Sequence, residues 1–400
     1  MDASTDQTNS PPTMAVNRMQ TPALVWDIDT LDERLAAMTD FADQFDCTLY
    51  YSVKAAAVAP IIEHIEKRVA GFSCSSPFEA QLASHVIRTD GEIQVTSPAL
   101  SPDKCGHING ACTKLSFNSL SQMSNLRPYL DDNIELGLRI NPQVSVVADP
   151  RVDPCRENSK LGVALSDLLR EVSEHPDLLD GINGFHIHTG CGTRSFRGLE
   201  ESVDRIATEM PETLAELDWF NLGGGYMFDK ILKVEPFARA VQRLRGDFGL
   251  EVIIEPGTAI VQAAASLLTT VVDLHESQGR MIAVLDTMVG HMPEVFTYGF
   301  SPPVRDASTV MRPGDTLPDN TYVLAGASCL PGDQFGIYRF EEPLDIGQQL
   351  TIEKMGAYTH SQWQWFNGIN LPTIYTVSKA DGLRLAENFS FPDYARHCAD

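Results

Sequence analysis

Lys54 is the residue whose type and position most directly suggest covalent chemistry. It ends the apolar run TLYYSVK and is followed by three alanines. A lysine at a strand end is commonly a solvated surface charge. In a desolvated position its pKa falls, and the neutral amine can form a Schiff base with a carbonyl group. The sequence leaves both interpretations of Lys54 open.

Two further motifs end apolar runs in the same way. NLGGG places Gly223, Gly224 and Gly225 where backbone N–H groups could surround one phosphate, although a tight structural turn would use the same glycines. EPG places Glu255 at a strand end, either as a solvated turn residue or as the partner of a protonated heteroaromatic nitrogen. An amine, a phosphate cradle and a carboxylate are the groups that pyridoxal 5'-phosphate requires. Their similar positions predict a site for this cofactor.

The elements that must bring these residues together form a repeated pattern between residues 48 and 257. Short apolar runs alternate with segments of helical periodicity such as AAAVAPIIEHIEKRVA. Eight β–α units in about 210 residues are typical of a (β/α)8 barrel. A doubly wound open sheet is the alternative, but it seldom needs eight consecutive strands. The eight runs are TLYYSVK, GFSCSS, EIQVTSP, KLSFNS, ELGLRINP, GFHIHTG, WFNLGGG and EVIIEPG.

In a barrel, the carboxyl ends of all the strands share one rim, where barrel enzymes build their active sites. The segment ADPRVDPCRENSKLG between the fifth and sixth runs is long and polar, which predicts a surface loop. The polar residues at the predicted rim are Lys54, Ser75, Asn118, Arg139, His188, Gly223 to Gly225 and Glu255.

The pattern changes after about residue 265. LLTTVVDL, MIAVLD, YVLAGAS, QLTIEKM and TIYTV are predicted strands separated by Pro- and Gly-rich turns. TPALVWD near the N-terminus is another strand that could join the same sheet, followed by the helix TLDERLAAMTDFADQF. We therefore predict a disordered lead-in at 1–20, a barrel at 30–270, and a β-rich domain formed by 21–29 and 271–400.

Composition and charge exclude several classes of function. The chain has 54 acidic and 30 basic residues, a net charge of −24 that disfavours nucleic-acid binding. No stretch approaches the roughly 18 apolar residues that span a bilayer, and the first 20 residues lack the apolar segment of a signal peptide. The eight cysteines never form a C-x-x-C pair, which disfavours a structural metal site and favours reduced thiols. We predict a cytoplasmic protein with no nucleic-acid, membrane or metal partner.

The ordered set of motifs resembles the fold type III pyridoxal-phosphate decarboxylases, the family of ornithine and diaminopimelate decarboxylases. The matching stretches are YYSVKA, GFSCSSPFE, FNS, LRINP, HIHTG, NLGGG, EPG, SCLPGD, MGAYT and FNG. Within the family the chain is most similar to the carboxynorspermidine and carboxyspermidine decarboxylases, through DPCRENSKLGV, LDTMVGHMPEV, CLPGDQFGIYRF and FNGINLPTIYTV. The resemblance implies an alanine racemase-like barrel, a C-terminal β-rich domain and decarboxylation of a carboxylated polyamine or amino acid.

The resemblance also implies roles for the residues of these motifs. Lys54 would form the Schiff base with the cofactor, and His188 would stack on its pyridine ring and contribute to catalysis. Glu255 would pair with the ring nitrogen, and Arg139 would help to hold Glu255 in place. His186, two residues earlier, should point the same way as His188 but lie deeper, and we interpret it as a satisfied core residue. Four glycines and a tyrosine would bind the phosphate: Gly223, Gly224, Gly225, Gly257 and Tyr358.

Two residues of SCLPGD match positions that this family supplies from a partner subunit. Cys329 would protonate the substrate Cα, and Asp333 would bind a substrate amine. A cysteine among apolar residues is ordinarily inert core, so the catalytic interpretation depends on the resemblance. The resemblance implies an obligate homodimer with shared active sites and a small-molecule substrate. Glu294 and Thr258 are the other two positions expected to contact that substrate.

The chain departs from the family pattern where the substrate should bind. Carboxynorspermidine decarboxylases carry acids at the positions of Gly192 and Thr258, whereas Glu294 stands in for a family aspartate. The stretch HTGCGTRSFRG also contains Arg194 and Arg197, which are either solvated or available to bind a carboxylate. A decarboxylase of another amino acid, such as diaminopimelate, ornithine, lysine or a secondary-metabolite intermediate, therefore remains the alternative.

Two related activities agree less well with the sequence. An amino-acid racemase shares the barrel but needs a tyrosine base opposite the lysine, and SCLPGD argues against it. A non-enzymatic pyridoxal-phosphate carrier is a lone barrel, whereas this chain adds a β-rich domain with Cys329 and Asp333.

The interpretation of Lys54 predicts a covalent product. We expect the purified protein to be yellow, and borohydride reduction to attach the cofactor permanently to Lys54. Peptide mass spectrometry locates the modified lysine, and Lys54→Ala is the control that should remain unmodified. A cofactor found on another lysine would contradict the assignment.

Overall fold

The structure is a computed structural model that describes residues 19–87, 91–310 and 318–399. The predicted lead-in therefore lies outside the described residues up to position 18. The chain divides into two compact units. The barrel unit comprises Arg34–Ile260, and the sheet unit combines the chain before Arg34 with the chain from Val261 onward. No helix in the described ranges is long and apolar enough to cross a membrane.

The strands and helices alternate through the barrel unit and give way to strands in the sheet unit. The strands are β1 Ala23–Asp27, β2 Thr48–Ser52, β3 Gly71–Cys74, β4 Glu92–Val95, β5 Lys114–Phe117, β6 Glu135–Asn141, β7 Val163–Ala164, β8 Gly184–His186, β9 Trp219–Asn221, β10 Glu251–Ile254, β11 Ala265–Ser277, β12 Arg280–Leu285, β13 Ala307–Thr309, β14 Thr321–Ala325, β15 Gln334–Phe340, β16 Gln349–Ile352, β17 Thr373–Ser378 and β18 Gly382–Glu387.

Most of the helices lie in the barrel unit, where they alternate with the strands. The α-helices are α1 Ile28–Gln44, α2 Ala59–Ile65, α3 Pro77–Val86, α4 Pro102–Cys105, α5 Leu120–Leu126, α6 Leu165–Glu174, α7 Arg197–Glu209, α8 Pro211–Leu214, α9 Glu235–Phe248, α10 Thr258–Val261, α11 Pro293–Tyr298 and α12 Phe391–His397. Single 3-10 turns lie at 53–55, 66–68, 127–129, 176–179, 228–230, 262–264, 289–291, 360–362 and 366–368.

Eight parallel strands close into a barrel. Pairing runs through β2, β3, β4, β5, β6, β8, β9 and β10, and β10 returns to β2. Each strand lies within one of the eight predicted runs, so the (β/α)8 prediction is confirmed and the open-sheet alternative is wrong. The two-residue strand β7 was not predicted and pairs with the end of β6.

Serine residues at two strand ends start the helices that follow. The Ser76 hydroxyl accepts a hydrogen bond from Glu79 N at 3.2 Å at the beginning of α3. Ser119 does the same for Gln122 N at 3.1 Å at the beginning of α5. These caps satisfy backbone N–H groups that no helical carbonyl can reach. The motifs SSP and NSL therefore fix the point at which each strand becomes a helix.

Trp219 fills the amino-terminal end of the barrel interior, where glycines make room for its ring. It is 1% exposed and forms a core cluster with Tyr50 and Ile253. A Cβ atom on Gly184 would lie 2.1 Å from Trp219 Cδ2, and one on Gly137 would lie 2.3 Å from Trp219 Cη2. The indole occupies the space that two ordinary side chains would need.

A buried ion pair lies at the same end of the barrel. Lys114 is 2% exposed, and its Nζ lies 2.6 Å from Glu92 Oε1 and 3.6 Å from Glu135 Oε2. The Tyr50 hydroxyl donates to the same Glu92 carboxylate. Burial would be costly for an isolated ammonium, so Lys114 depends on these carboxylates.

The sheet unit has a nine-stranded mixed sheet. Its order is β13-β15-β14-β12-β11-β1-β17-β18, and β16 pairs with β11. The N-terminal strand β1 lies near the middle, antiparallel to β11 and parallel to β17. The five strands predicted after residue 265 are present. Three others were missed, namely β13, β15 and β18.

The contact between Gly184 and Trp219 predicts a large effect of a small substitution. Gly184→Ala should destabilise the fold by about 1–3 kcal/mol, because the new methyl group overlaps the buried indole. Chemical denaturation measures the change.

Gly246→Ala is the matched control, since its Cβ would be 3.8 Å from the nearest atom, Gln242 Cγ, in the exposed interior of α9. It should stabilise the protein by about 0.5–1 kcal/mol. Equal effects of the two substitutions would contradict this account of the core.

Candidate active site

Lys54 and Glu255 lie together at the carboxyl-terminal rim of the barrel. Lys54 is half-buried in the turn after β2, and Glu255 directly follows β10, the strand that pairs with β2. Burial lowers the pKa of Lys54, and the Glu255 carboxylate opposes that shift, whereas the Arg139 charge adds to it. The lysine therefore gives up its proton more readily than an exposed lysine would.

A chain of buried amides holds Glu255. Its Oε1 accepts a 2.6 Å hydrogen bond from Asn221 Nδ2, which also donates to Gln94 Oε1 at 2.6 Å. The Gln94 side chain continues to the Ser116 hydroxyl at 2.8 Å. Glu255 is 3% exposed, and the other three residues are fully buried. Sequence reasoning missed this chain, although a glutamine inside the apolar run EIQV was a usable signal.

Arg139 acts on Glu255 through charge. Burial lowers the pKa of Arg139, and the Glu255 carboxylate opposes that shift. Among the described residues, Asn221 makes the hydrogen bond that orients Glu255. Sequence reasoning missed this contribution of Asn221, and the role of Arg139 in helping to hold Glu255 stays a prediction.

His186 and His188 line the same space in different ways. Burial lowers the pKa of both rings well below the usual range, and the nearby Lys54 and Arg139 charges contribute. His188 Nδ1 accepts a 3.3 Å hydrogen bond from Gly224 N. A neutral imidazole in this position can stack on a flat aromatic ring, as predicted for His188.

His186 is not the satisfied core residue that we expected. Its Nδ1 lies 3.3 Å from the Thr96 hydroxyl, but its buried Nε2 has no hydrogen-bond partner in the part of the chain that the structure describes. That nitrogen lies 3.8 Å from Glu255 Oε2, so His186 belongs to the site.

The same three side chains could in principle offer ligands to a metal. Donor atoms of His186, His188 and Glu255 all lie within 4.8 Å of one another. However, Glu255 Oε1 and His188 Nδ1 already accept hydrogen bonds, and Arg139 places a positive charge beside them. The donor set suits the ring of an organic cofactor better than a cation.

The glycine loop after β9 approaches the site without side chains. A Cβ on Gly224 would lie 2.2 Å from Glu255 O, and one on Gly225 would lie 2.0 Å from Gly190 O. Gly225 also has a φ of +87°, which other residues rarely adopt. Only glycine lets the backbone pack this closely.

Two of the four predicted phosphate donors are already engaged. Gly223 N donates to Asn221 Oδ1 at 2.7 Å, and Gly224 N donates to His188 Nδ1. Among the described contacts, the N–H groups of Gly225 and Gly257 have no acceptor. Gly223 and Gly224 therefore shape the cradle through these contacts, and the phosphate-binding role of the four glycines stays a prediction. Lysine, buried carboxylate and two available N–H groups fit pyridoxal 5'-phosphate.

An aromatic cluster supports the cradle from behind. Tyr226 follows the glycines, and its buried hydroxyl lies 2.5 Å from the Thr189 hydroxyl. Its ring centroid lies 5.0 Å from that of Phe196, which packs in turn against Phe237 and Phe41. These contacts keep the glycine loop against the loop that carries His188.

The long segment 148–162 is only partly a surface loop. Asp153 is 5% exposed and accepts hydrogen bonds from the Ser145 hydroxyl and from Cys155 N. Asn118 binds the end of the segment through Lys160 O at 2.8 Å and Gly162 N at 3.1 Å. Asn118 therefore anchors this segment against the rim.

Four further predicted residues have the following environments. Thr258 begins α10, just after the EPG motif. Tyr358, in the sheet unit, has a φ of +61°. Glu294 has a buried Oε2 without a hydrogen-bond partner in the described chain, and burial raises its pKa to about 7. Cys329 is exposed, and its N–H donates to Asn367 Oδ1 at 2.9 Å.

Asp333 disagrees with its predicted role as an amine ligand. It is 2% exposed, and its two carboxylate oxygens accept hydrogen bonds from Val289 N at 2.7 Å and Ser328 N at 2.8 Å. A Cβ on Gly326 would lie 2.1 Å from the same carboxylate. Asp333 thus folds the loop that presents Cys329. The residue beside Cys329 on the surface is Leu330, which is 38% exposed.

Comparisons with known proteins agree with this geometry. The family described as pyridoxal-dependent decarboxylase, pyridoxal binding domain, matches residues 29–262. The chain is 30% identical to a carboxynorspermidine/carboxyspermidine decarboxylase of Herminiimonas arsenicoxydans, over 94% of this chain and 98% of the relative. It is 32% identical to a carboxyaminopropylagmatine decarboxylase of a Synechocystis species, over 95% of each.

Solved structures give the same result. The crystal structure of carboxynorspermidine decarboxylase from Campylobacter jejuni with norspermidine superposes with a TM-score of 0.84 at 27% identity, covering 95% of this chain and 100% of that one. Diaminopimelate decarboxylase from Helicobacter pylori, complexed with L-lysine, has a TM-score of 0.82 at 19% identity, over 96% of this chain and 98% of that one. The latter similarity supports the fold alone.

The buried position of Asp333 predicts a structural phenotype. Asp333→Asn should lower the free energy of unfolding by about 1–3 kcal/mol, because an amide group replaces one acceptor oxygen opposite a backbone N–H. The exposed Asp319→Asn is the control and should change stability by about 0.5 kcal/mol or less. Unchanged stability of Asp333→Asn together with a raised KM would instead support the amine-binding role.

Proposed function

Because the chain belongs to the pyridoxal-dependent decarboxylase family, we propose that it decarboxylates a carboxylated polyamine of the carboxynorspermidine or carboxyspermidine type. Its cofactor is pyridoxal 5'-phosphate. The observation that carries the proposal is the buried Glu255 carboxylate, held by Asn221 beside Lys54 and the glycine loop. The names of two of the most similar relatives, both decarboxylases of carboxylated polyamines, support the substrate class.

The residues of the barrel unit divide the work of holding the cofactor. Lys54 would bind its aldehyde carbon, and the N–H groups of Gly225 and Gly257 would bind its phosphate. Glu255 would keep a proton on the ring nitrogen, because a carboxylate fixed by Asn221 stabilises positive charge beside it. The neutral His188 ring would cover one face of the pyridine. When bound, the cofactor supplies an electron sink for the electron pair left by the departing carboxylate.

Residues of the sheet unit would complete the site from a second subunit. We propose a homodimer in which the β-rich domain at 21–29 and 271–400 reaches the partner's barrel. Cys329 is exposed and would deliver a proton to the substrate Cα. The exposed side chains of Phe296, Leu330 and Phe366 support an interface near Cys329, because a surface with several such side chains commonly contacts another protein.

Glu294 would contribute to substrate binding through an ammonium group. Its buried Oε2 without a hydrogen-bond partner in the described chain and its raised pKa support this role, because a polyamine nitrogen would bring a positive charge to the buried carboxyl group. The eight free cysteines support a reducing cytoplasmic location. A second candidate substrate is an amino acid with a different distal group. Gly192 and Thr258 favour it because they replace family acids, and Arg194 and Arg197 favour it because they could bind a carboxylate.

A screen for CO2 release tests the function directly. The substrates are carboxynorspermidine, carboxyspermidine, diaminopimelate, ornithine, lysine and arginine.

Glu255→Gln should retain the cofactor but lose about 10²- to 10³-fold in kcat, since the amide no longer stabilises the ring proton. The exposed Glu212→Gln serves as a control with unchanged kcat. Near-normal turnover by Glu255→Gln would remove this carboxylate from the mechanism.

Shared active sites predict complementation between two inactive variants. Lys54→Ala and Cys329→Ala homodimers should each be nearly inactive. After subunit exchange, mixtures should recover roughly a quarter of wild-type activity, because half of the dimers carry one site with both residues. Native mass spectrometry verifies the exchange. Exchange without recovery would place both residues in the same subunit's site.

A further inference from the structure

A cavity of about 360 Å³ lies between two loops of the barrel unit. One loop follows β6, and the other connects β8 to α7. The first loop contributes Val146, Val147 and Ala148. The second contributes Cys191, Gly192, Thr193, Arg194, Ser195, Arg197 and Gly198.

Close backbone packing fixes the walls of this cavity. A Cβ on Gly198 would lie 2.4 Å from Val146 Cγ1, so a glycine at the beginning of α7 lets the two loops approach. Thr193 N donates to Gly225 O at 3.0 Å, and Met227 N donates to Thr193 O at 2.9 Å. The floor is therefore tied to the glycine loop of the cofactor site.

The charge that faces this cavity is positive. Arg194 and Arg197 are its only charged lining residues. Both are exposed, and the ion pairs found within the described ranges include neither guanidinium. The neighbouring acids are already engaged. Asp149 is bound by Arg151 at 2.7 Å, and the Asp153 carboxylate accepts two hydrogen bonds. In a chain with a net charge of −24, two unpaired arginines in one cavity are a concentrated site for an anion.

The cavity adjoins the reacting groups. Burial raises the pKa of the Cys191 thiol. The Lys54 charge opposes that rise and the Asp149 and Asp153 carboxylates add to it, so this lining residue lies within electrostatic reach of the lysine and of both acids. A Cβ on Gly192 would meet no atom within 4 Å, which leaves the space beside the arginines open.

We propose that this cavity binds a carboxylate group that the substrate retains after it loses CO2. Two guanidinium groups match a carboxylate, whereas the terminal ammonium of a polyamine would be repelled. This inference rests on the proposed function, because it assumes that the protein is a decarboxylase. Of the two candidate substrates it favours the second, an amine that carries an additional carboxylate. A separate organic anion could offer the same carboxylate group to the arginines. The experiments below distinguish such an anion from a carboxylate that belongs to the substrate.

Calorimetric titration of the holoenzyme with glutarate measures the site without turnover, and pentane-1,5-diamine is the oppositely charged probe of equal length. We expect wild type to bind glutarate and not the diamine. Arg194→Gln and Arg197→Gln should each weaken binding about tenfold or more. Arg170→Gln on α6, where Arg170 is ion-paired with Asp167, is the matched control and should bind like wild type.

Gly192→Asp provides a second test that retains both arginines. Aspartate tolerates the left-handed backbone at this position, where φ is +62°, and its charge should neutralise the site. It should weaken glutarate binding by a similar factor. Glutarate binding that is absent from wild type, or unchanged in the double arginine variant, would overturn the proposal.

Kinetics then assign the source of the carboxylate. Glutarate should raise KM for diaminopimelate without changing kcat, and Arg194→Gln should raise the same KM. Inhibition through kcat alone would overturn the substrate assignment in favour of a free anion. If no amino acid or polyamine releases CO2, the proposed function fails, yet the titration still reports on the cavity. Efficient use of carboxynorspermidine, with no glutarate binding, would leave the function standing and refute the inference.

Discussion

The hydrogen bond from Asn221 to Glu255 is the contact on which the barrel's chemistry depends. The Glu255 side chain is 3% exposed, so polar groups of the protein must replace the water that its oxygens have lost. Asn221 donates to it at 2.6 Å and accepts from Gly223 N at 2.7 Å, so one side chain orients both the acid and the glycine loop. Because Gln94 fixes Asn221 in turn, the orientation originates on β4, which is separated from β10 by β2 and β3. Such networks are cooperative only when every member has a partner.

The barrel could be predicted from the sequence because its strands are buried on both sides and end in polar residues. Lys54, His188 and Glu255 were identified for the same reason, since each follows an apolar run directly. Gln94 and Ser116 could not be assigned partners in this way. Their hydrogen bonds connect strands that are distant in sequence, and alternation alone only indicates which side chains point inward. The same limit applies to Asn118, whose partners lie more than 40 residues later.

In the sheet unit, the pattern of apolar residues predicted the strands with continuous apolar runs but missed β13, β15 and β18. β18 is mostly exposed, and β15 contains Gly336 at a φ of +139°, so neither has the continuous apolar character of a buried strand. Asp333 shows a different limit. An acid near a cysteine that is predicted to be catalytic suggests a ligand, but burial decides whether its oxygens face a substrate or the backbone. The carboxylate that completes a loop and the one that binds an amine have the same residue type.

The central position of β1 has a consequence for the order of events during synthesis. Ala23–Asp27 is synthesised well before its neighbours β11 and β17, which begin only at Ala265 and Thr373. The barrel sequence is complete before either neighbour exists, so the barrel unit can fold while an apolar strand waits with both edges unpaired. Unpaired strand edges are the usual starting point for aggregation. The nascent chain therefore depends on rapid barrel closure and on protection of its first strand until the last third of the protein has emerged.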